Sequence, residues 1–243
     1  MPLALVTAPE KRAVLARLDS PLAAKLKSAR ELLLDEKESA SAAVSWSRSL
    51  PGLATLLPEG LARGELVELT AARSSGRFAC VLALVAAATA AGENAALVDL
   101  GDALDPQAAS ALATDWRRLL WVRPRDIREA LAAAEATLTG GFPIVALDLG
   151  LPPVPGGRGA EAMWIRLARS ARAHDGLLFV AAPYRVAGPA SSTVIELGRG
   201  HGRWRGAGLS PRLLDGAAGR FAVVKGKNVR APRDETWTLA VGG

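Results

Sequence analysis

The residues whose types and spacing point to chemistry are Ala71, Ser74, Ser75, Gly76, Arg77 and Phe78, together with Asp148. In the phosphate-binding pattern G-x-x-x-x-G-K-[ST], backbone N–H groups cradle the phosphates, Lys reaches the outer ones and Ser/Thr holds Mg²⁺. Here Gly76 keeps the second glycine, but Ala71 stands at the first, Arg77 at the Lys and Phe78 at the hydroxyl residue. A phenyl ring offers no oxygen to Mg²⁺, so a metal ligand is lost. Arg77 keeps the charge on a bulkier, planar group. Asp148 ends the apolar run Ile144-Val145-Ala146-Leu147, the place of a metal-associated carboxylate. Two readings stay open. Either the backbone N–H groups of Ser74, Ser75, Gly76 and Arg77 hold a phosphate or nucleotide near Asp148, or the turn is structural and takes no ligand. No residue is assigned a catalytic role. One cysteine, Cys80, and two histidines, His174 and His201, cannot build a zinc site.

A strand entering this turn and a helix leaving it must position these groups. The sequence predicts strand Leu66–Leu69, helix Arg77–Ala91 and strand Ala95–Asp99. A helix of roughly Pro106–Ala113 comes next, then strand Leu119–Val122, helix Asp126–Thr139 and strand Ile144–Leu147. After a Gly/Pro loop at 150–159, helix Ala160–Ala173 and strand Leu177–Ala181 continue the alternation. Short continuous apolar runs alternating with helices predict an α/β fold, with a mostly parallel central sheet covered on both faces. Beyond Pro183 the chain turns β-rich, at Thr193–Leu197, Arg203–Arg205, Phe221–Lys225 and Thr236–Val241, read as antiparallel additions to the sheet.

Residues 1–48 read differently. Ser20-Pro21 is a helix start, and Leu22, Leu26, Ala29 and Leu33 recur at helical spacing. The expected organisation is a helical N-terminal arm over 1–48 and a core domain over 49–243, the arm either packing on its own domain or docking on a partner. A lone cysteine inside an apolar helix fits a reducing cytosol. The opening Met1 to Thr7 lacks a basic n-region, and the longest apolar run, about Phe78 to Ala91, falls short of the roughly 20 residues a membrane helix needs. A cytoplasmic location is therefore expected.

The formal charge is +6. Between Arg185 and Arg233 ten basic residues face only Glu196 and Asp215, an excess of 10 − 2 = +8. Arg203, Trp204 and Arg205 place an aromatic between cations, a pattern that can stack a base and hold phosphates. Arg158, Arg185, Lys225, Lys227 and Arg230 join them as candidate contacts to DNA or to an acidic protein. A solvated basic surface is the plainer reading.

Several segments together carry a family resemblance. Gly60-Leu61-Ala62-Arg63-Gly64-Glu65-Leu66-Val67-Glu68-Leu69 before Ser-Ser-Gly resembles the entry to the RecA ATPase core. Val98-Asp99-Leu100-Gly101-Asp102-Ala103-Leu104-Asp105-Pro106 resembles the segment after its second strand, and Leu119-Leu120-Trp121-Val122-Arg123-Pro124 the strand that follows. The resemblance covers residues 50–230 and implies a RecA-like P-loop core. It also implies losses: Gly101 stands where RecA-type enzymes place the catalytic Glu, and Ala181-Ala182 where a polar switch residue is expected. Arg158 and Arg185 fall where that family's two DNA-binding loops lie.

The pattern is similar to ImuA, the RecA-like accessory family of bacterial mutagenic translesion synthesis. That resemblance implies an SOS-induced protein acting with ImuB and an error-prone replicative-type polymerase and contacting RecA. With the altered residues at Ala71, Arg77, Phe78 and Gly101, the expectation is a non-catalytic adaptor that limits RecA filaments, with no ATP or ADP as cofactor. Two alternatives remain. One is a weak P-loop ATPase of DNA repair, with Arg77 and Asp102 replacing the lost groups. The other is a cell-division inhibitor of the SulA kind.

Overall fold

The computed structural model of this chain describes residues 56–57, 60–72, 75–110, 114–150, 158–206, 213–226 and 233–240. The arm expected over 1–48 lies outside them. Nine strands form one sheet, in the order β3-β2-β4-β5-β1-β6-β8-β7 with β9 paired to β8. Its parallel part is built from β1 (Leu66–Ala71), β2 (Ala95–Asp99), β3 (Leu119–Val122), β4 (Ile144–Asp148), β5 (Leu177–Ala182) and β6 (Thr193–Leu197). Residues of β1, β2, β4 and β5 are buried throughout. They need apolar side chains on both faces, which is why they read as continuous runs and not as alternation.

One face is covered by α1 (Arg77–Ala90), through Val81, Leu84, Val85 and Ala88. The other is covered by α3 (Ile127–Thr139) and α4 (Arg158–Ala173), through Leu131, Leu138, Trp164 and Leu167. A short α2 (Pro106–Ser110) follows β2. The start of α3 is fixed locally. Asp126 accepts from the Glu129 N–H at 2.9 Å, and the Glu129 carboxylate accepts from the Arg125 N–H at 2.8 Å.

Two expectations are corrected. The C-terminal strands are not all antiparallel, because β6 runs parallel to β1 with Leu69 opposite Ile195. The polarity reverses one strand later: β8 (Leu213–Lys225) is antiparallel to β6, to β7 (His201–Arg205) and to β9 (Arg233–Ala240). The strand read as Phe221–Lys225 is the end of thirteen residues. Gly216 and Gly219 break its apolar pattern while keeping the backbone pairing.

The connection from β5 to β6 must cross β1 and carries only a short 3-10 turn, Gly188–Ala190. A buried side chain fastens it. Glu68, in the middle of β1 and fully removed from water, accepts through Oε1 from the N–H groups of Val186 and Ala187, the latter at 3.2 Å. Lys225 adds an outer clasp, donating to the carbonyls of Gly188 and Pro189 at 3.3 and 3.4 Å.

Candidate functional site

The turn after β1 meets the end of β4 at the carboxyl edge of the sheet. Gly76 has φ of 87°, a left-handed conformation that glycine adopts without strain, and it opens α1. Ser75 is buried, its hydroxyl donating to the Ala72 carbonyl at 2.6 Å. That hydroxyl is committed to its own turn.

Arg77 turns back toward the ends of β1 and β4. Its Nη2 donates to the Gly150 carbonyl at 2.5 Å and its Nη1 to the Ala71 carbonyl at 3.3 Å. Its Nε lies 3.5 Å from Asp148 Oδ1, with the two side chains only 10 % and 2 % exposed. A single guanidinium thus ties the ends of β1 and β4 together. The Asp148 carboxyl is pushed up to about 6. Burial is the main cause, the Arg77 charge opposes it, and the Asp99 charge adds to it. The Gly150 N–H donates to Asp148 Oδ2 at 3.2 Å.

The place of the catalytic Glu is closed by geometry. A Cβ added to Gly101 would sit 2.7 Å from Asp148 Oδ2 and 3.0 Å from the Gly150 Cα. Its neighbour Asp102, the substitute weighed for an ATPase, is held elsewhere. Both its oxygens accept from Arg123 at 2.8 Å, and Arg123 lies 5.1 Å from the centre of the Trp121 ring. Arg123 holds the Asp102 carboxyl below its ordinary range. Asp99 is structural as well, capping the N–H groups of Ala103 and Leu104 and receiving the Trp121 indole N–H at 3.3 Å. Phe78 packs against the α1 core cluster, and Ala181 and Ala182 are fully buried. A turn at Gly198–Gly200 lies against the other side: a Cβ on Gly200 would be 3.4 Å from the Ser75 carbonyl oxygen. Cys80, on α1, has its thiol pushed up to about 12 by burial.

Of the site residues expected from sequence, Ser75, Gly76, Arg77 and Asp148 come together. The partners that complete the arrangement, the carbonyls of Ala71 and Gly150, are backbone groups with no side-chain signal. Ser74, Lys227 and Arg230 lie outside the described residues, and Arg158 is described only as the first residue of α4.

Arg185 is exposed in the β5–β6 connection, and Lys225 is bound to that connection's carbonyls. Arg203 and Arg205 share a face of β7, where Asp215 pairs with them at 4.0 and 2.8 Å. Trp204 points to the opposite face, with Leu214, over Gly202: a Cβ there would be 3.0 Å from Trp204 Nε1 and 3.1 Å from Leu214 Cδ1. Strand alternation therefore separates the aromatic from its flanking cations, which corrects the reading of the three as one contact. Trp116 is 39 % exposed and Trp164 is buried.

Among the described residues no helix is long and apolar enough to cross a membrane, and no group of three His, Cys, Asp or Glu side chains is placed to hold a metal.

Residues 29–151 match the model of the RecA N-terminal domain. Over 90 residues the chain is 39% identical to Protein RecA of Clostridioides difficile (strain 630) and to Protein RecA of Mycobacterium marinum. The aligned part is 37% of this chain, and it spans about a quarter (26%) of the length of those curated relatives. The crystal structure of the RadB recombinase superposes with a TM-score of 0.57 at 15% identity, covering 76% of this chain and 91% of that one. At that identity the superposition speaks for the fold alone.

Proposed function

We propose, because this chain belongs to the RecA N-terminal domain family, that it is a RecA-like protein of DNA repair which has exchanged nucleotide hydrolysis for binding to other proteins. Its place is that of an adaptor in mutagenic translesion synthesis, engaging RecA and ImuB and limiting RecA filaments. It needs no nucleotide or metal for this.

One observation carries the non-catalytic part. The Arg77 guanidinium is held by the carbonyls of Ala71 and Gly150 through its two Nη groups, with its Nε facing Asp148 at 3.5 Å. A phosphorylating or hydrolysing P-loop site works by aiming a Lys and a hydroxyl-bound Mg²⁺ at the β- and γ-phosphates. Here the resident cation points at the protein. A nucleotide would have to break two hydrogen bonds and leave the Asp148 carboxylate without its partner. Buried charge separated from its partner costs several kcal/mol, on the order of the whole gain from a weak phosphate contact. The translesion part rests on the resemblance of the segment Leu119–Pro124 and on the altered nucleotide turn, with the DNA-repair setting supported by family membership.

The test has two arms. ATP turnover is measured with and without single-stranded DNA, and the full chain is used to capture RecA, ImuB and the tubulin-like division protein. The expected result is no turnover and capture of RecA and ImuB. Turnover abolished by Asp148→Ala would overturn the non-catalytic reading. Capture of the division protein alone would move the chain to the inhibitor reading.

A further inference from the structure

Away from the degenerate site, at the opposite end of β1, a shallow cleft of about 260 Å³ opens between the C-terminal half of α4 and the start of β6. Its lining includes Leu66, Ile165, Ala168 and Ala190, an apolar floor. Its rim carries Arg169 and Arg172.

These arginines belong to a stripe. Arg166, Arg169 and Arg172 recur every three residues on α4, so they share one side of the helix. Arg166 is paired with Glu135 at 2.8 Å. Arg169 and Arg172 have no acidic partner among the described residues. Arg172, in the last turn of α4, is also favoured there by the helix dipole. Arg169, one turn earlier, gains less from it. Pro189 lines the cleft, and its carbonyl accepts from the Lys225 ammonium at 3.4 Å, which fixes that side of it. The one carboxylate in the lining, Glu65, accepts the Ser192 hydroxyl at 2.9 Å. Two arginines thus flank an apolar floor beside one engaged carboxylate.

We infer that this cleft is a docking site for an acidic peptide segment of a partner protein, with an aliphatic or aromatic side chain on the Ile165–Ala168–Ala190 floor and carboxylates on Arg169 and Arg172. The charge of the rim selects the sign of the ligand. Arg guanidinium groups pair carboxylates in a bidentate fashion, which gives direction as well as attraction. The cleft is smaller than the ~300–1,000 Å³ typical of small-molecule pockets, so one anchored side chain suits it better than a whole cofactor. Nucleic acid suits it less. No aromatic ring is among the described residues that line the cleft, so a base has nothing there to stack on, and Glu65 would face the phosphates. The inference does not depend on the nucleotide-site reading: the two sites lie at opposite ends of β1.

The test is selection from a random-peptide library displayed on phage, using the full chain and its Arg169→Gln/Arg172→Gln variant as parallel baits. A Glu-for-Arg pair, R169E/R172E, serves as a stronger version, and circular dichroism checks that both fold. The neutral variant keeps good helix formers and guards against simple loss of structure. Peptides carrying Asp or Glu beside an apolar residue should be enriched on the parent chain only. Their synthetic forms should bind at least about tenfold more weakly to the neutral variant and weaken with added salt. Enrichment that is the same on both baits, enriched peptides without acidic residues, or a loss of single-stranded oligonucleotide binding in place of peptide binding would each overturn the inference.

Discussion

Arg77 Nε lies 3.5 Å from Asp148 Oδ1, joining the residue at the P-loop Lys position to the carboxylate that ends β4. Two groups that in a working site would share a nucleotide and its metal are here each other's partner. Removing one leaves the other buried and unsatisfied. Arg77→Met should destabilise the chain by ~2–4 kcal/mol in urea unfolding, since it strands Asp148 and frees two carbonyls. Adding Asp148→Asn should recover part of that loss. A double-mutant cycle with no coupling between the two sites would show that the contact is incidental.

The pH dependence of stability has a definite sign. Burial raises the Asp148 carboxyl from 3.8 to about 6 in the folded chain. The protonated form is therefore favoured by folding. Its contribution is present below about pH 4 and is lost as pH rises through about 6. Stability of the parent relative to Asp148→Asn should fall by roughly 3 kcal/mol across that window and level off above about pH 7. A flat difference between the two proteins from pH 4 to 7 would contradict this assignment.

Restoring the lost Glu at position 101 should not restore an enzyme. The Cβ alone would meet Asp148 Oδ2 at 2.7 Å. Gly101→Ala is expected to cost ~1–3 kcal/mol through overpacking. The same change made in an Asp148→Ala background should cost clearly less, because the clashing oxygen is gone. Gly101→Glu should show no ATP turnover in either background.

Glu68 holds the β5–β6 connection through two backbone N–H groups. Glu68→Ala should leave those donors unpaired in the interior and lower stability by ~2 kcal/mol or more. The local readout is hydrogen exchange. Amide protons of Val186 and Ala187 should exchange much faster in the variant while those of β4 keep their protection. Uniform acceleration across the sheet would mean that Glu68 supports the whole core and not this connection.

Much of the core was legible in the sequence, for identifiable reasons. Leu119–Val122 and Thr193–Leu197 are read with the observed bounds because short apolar runs are flanked by turn residues. The direction of β6 was not legible: an apolar run says that a strand is buried, not which way it lies beside its neighbour. Trp204 was assigned to the same contact as Arg203 and Arg205 because adjacency along the chain hides alternation across a strand. At the site, the missing Lys and hydroxyl could be read directly. That Arg77 would fold back on Ala71 and Gly150 could not, since its acceptors are carbonyl oxygens. Glu68 carries a signal of its own. A lone carboxylate inside Leu-Val-Glu-Leu, in a strand buried on both faces, must find donors from somewhere else in the fold.

The close approach of Gly101 to Asp148 also bears on the history open to this chain. A lost activity can return if some order of single changes improves it at each step. Arg77→Lys shortens the side chain that reaches Gly150, but no hydroxyl waits at position 78 and no base at 101. A base at 101 cannot enter until Asp148 moves, and Asp148 is the carboxylate a metal would need. On the proposed non-catalytic reading each repair presupposes another, so the way back lies across a fitness valley. The fold is free to drift only toward uses that leave this corner shut.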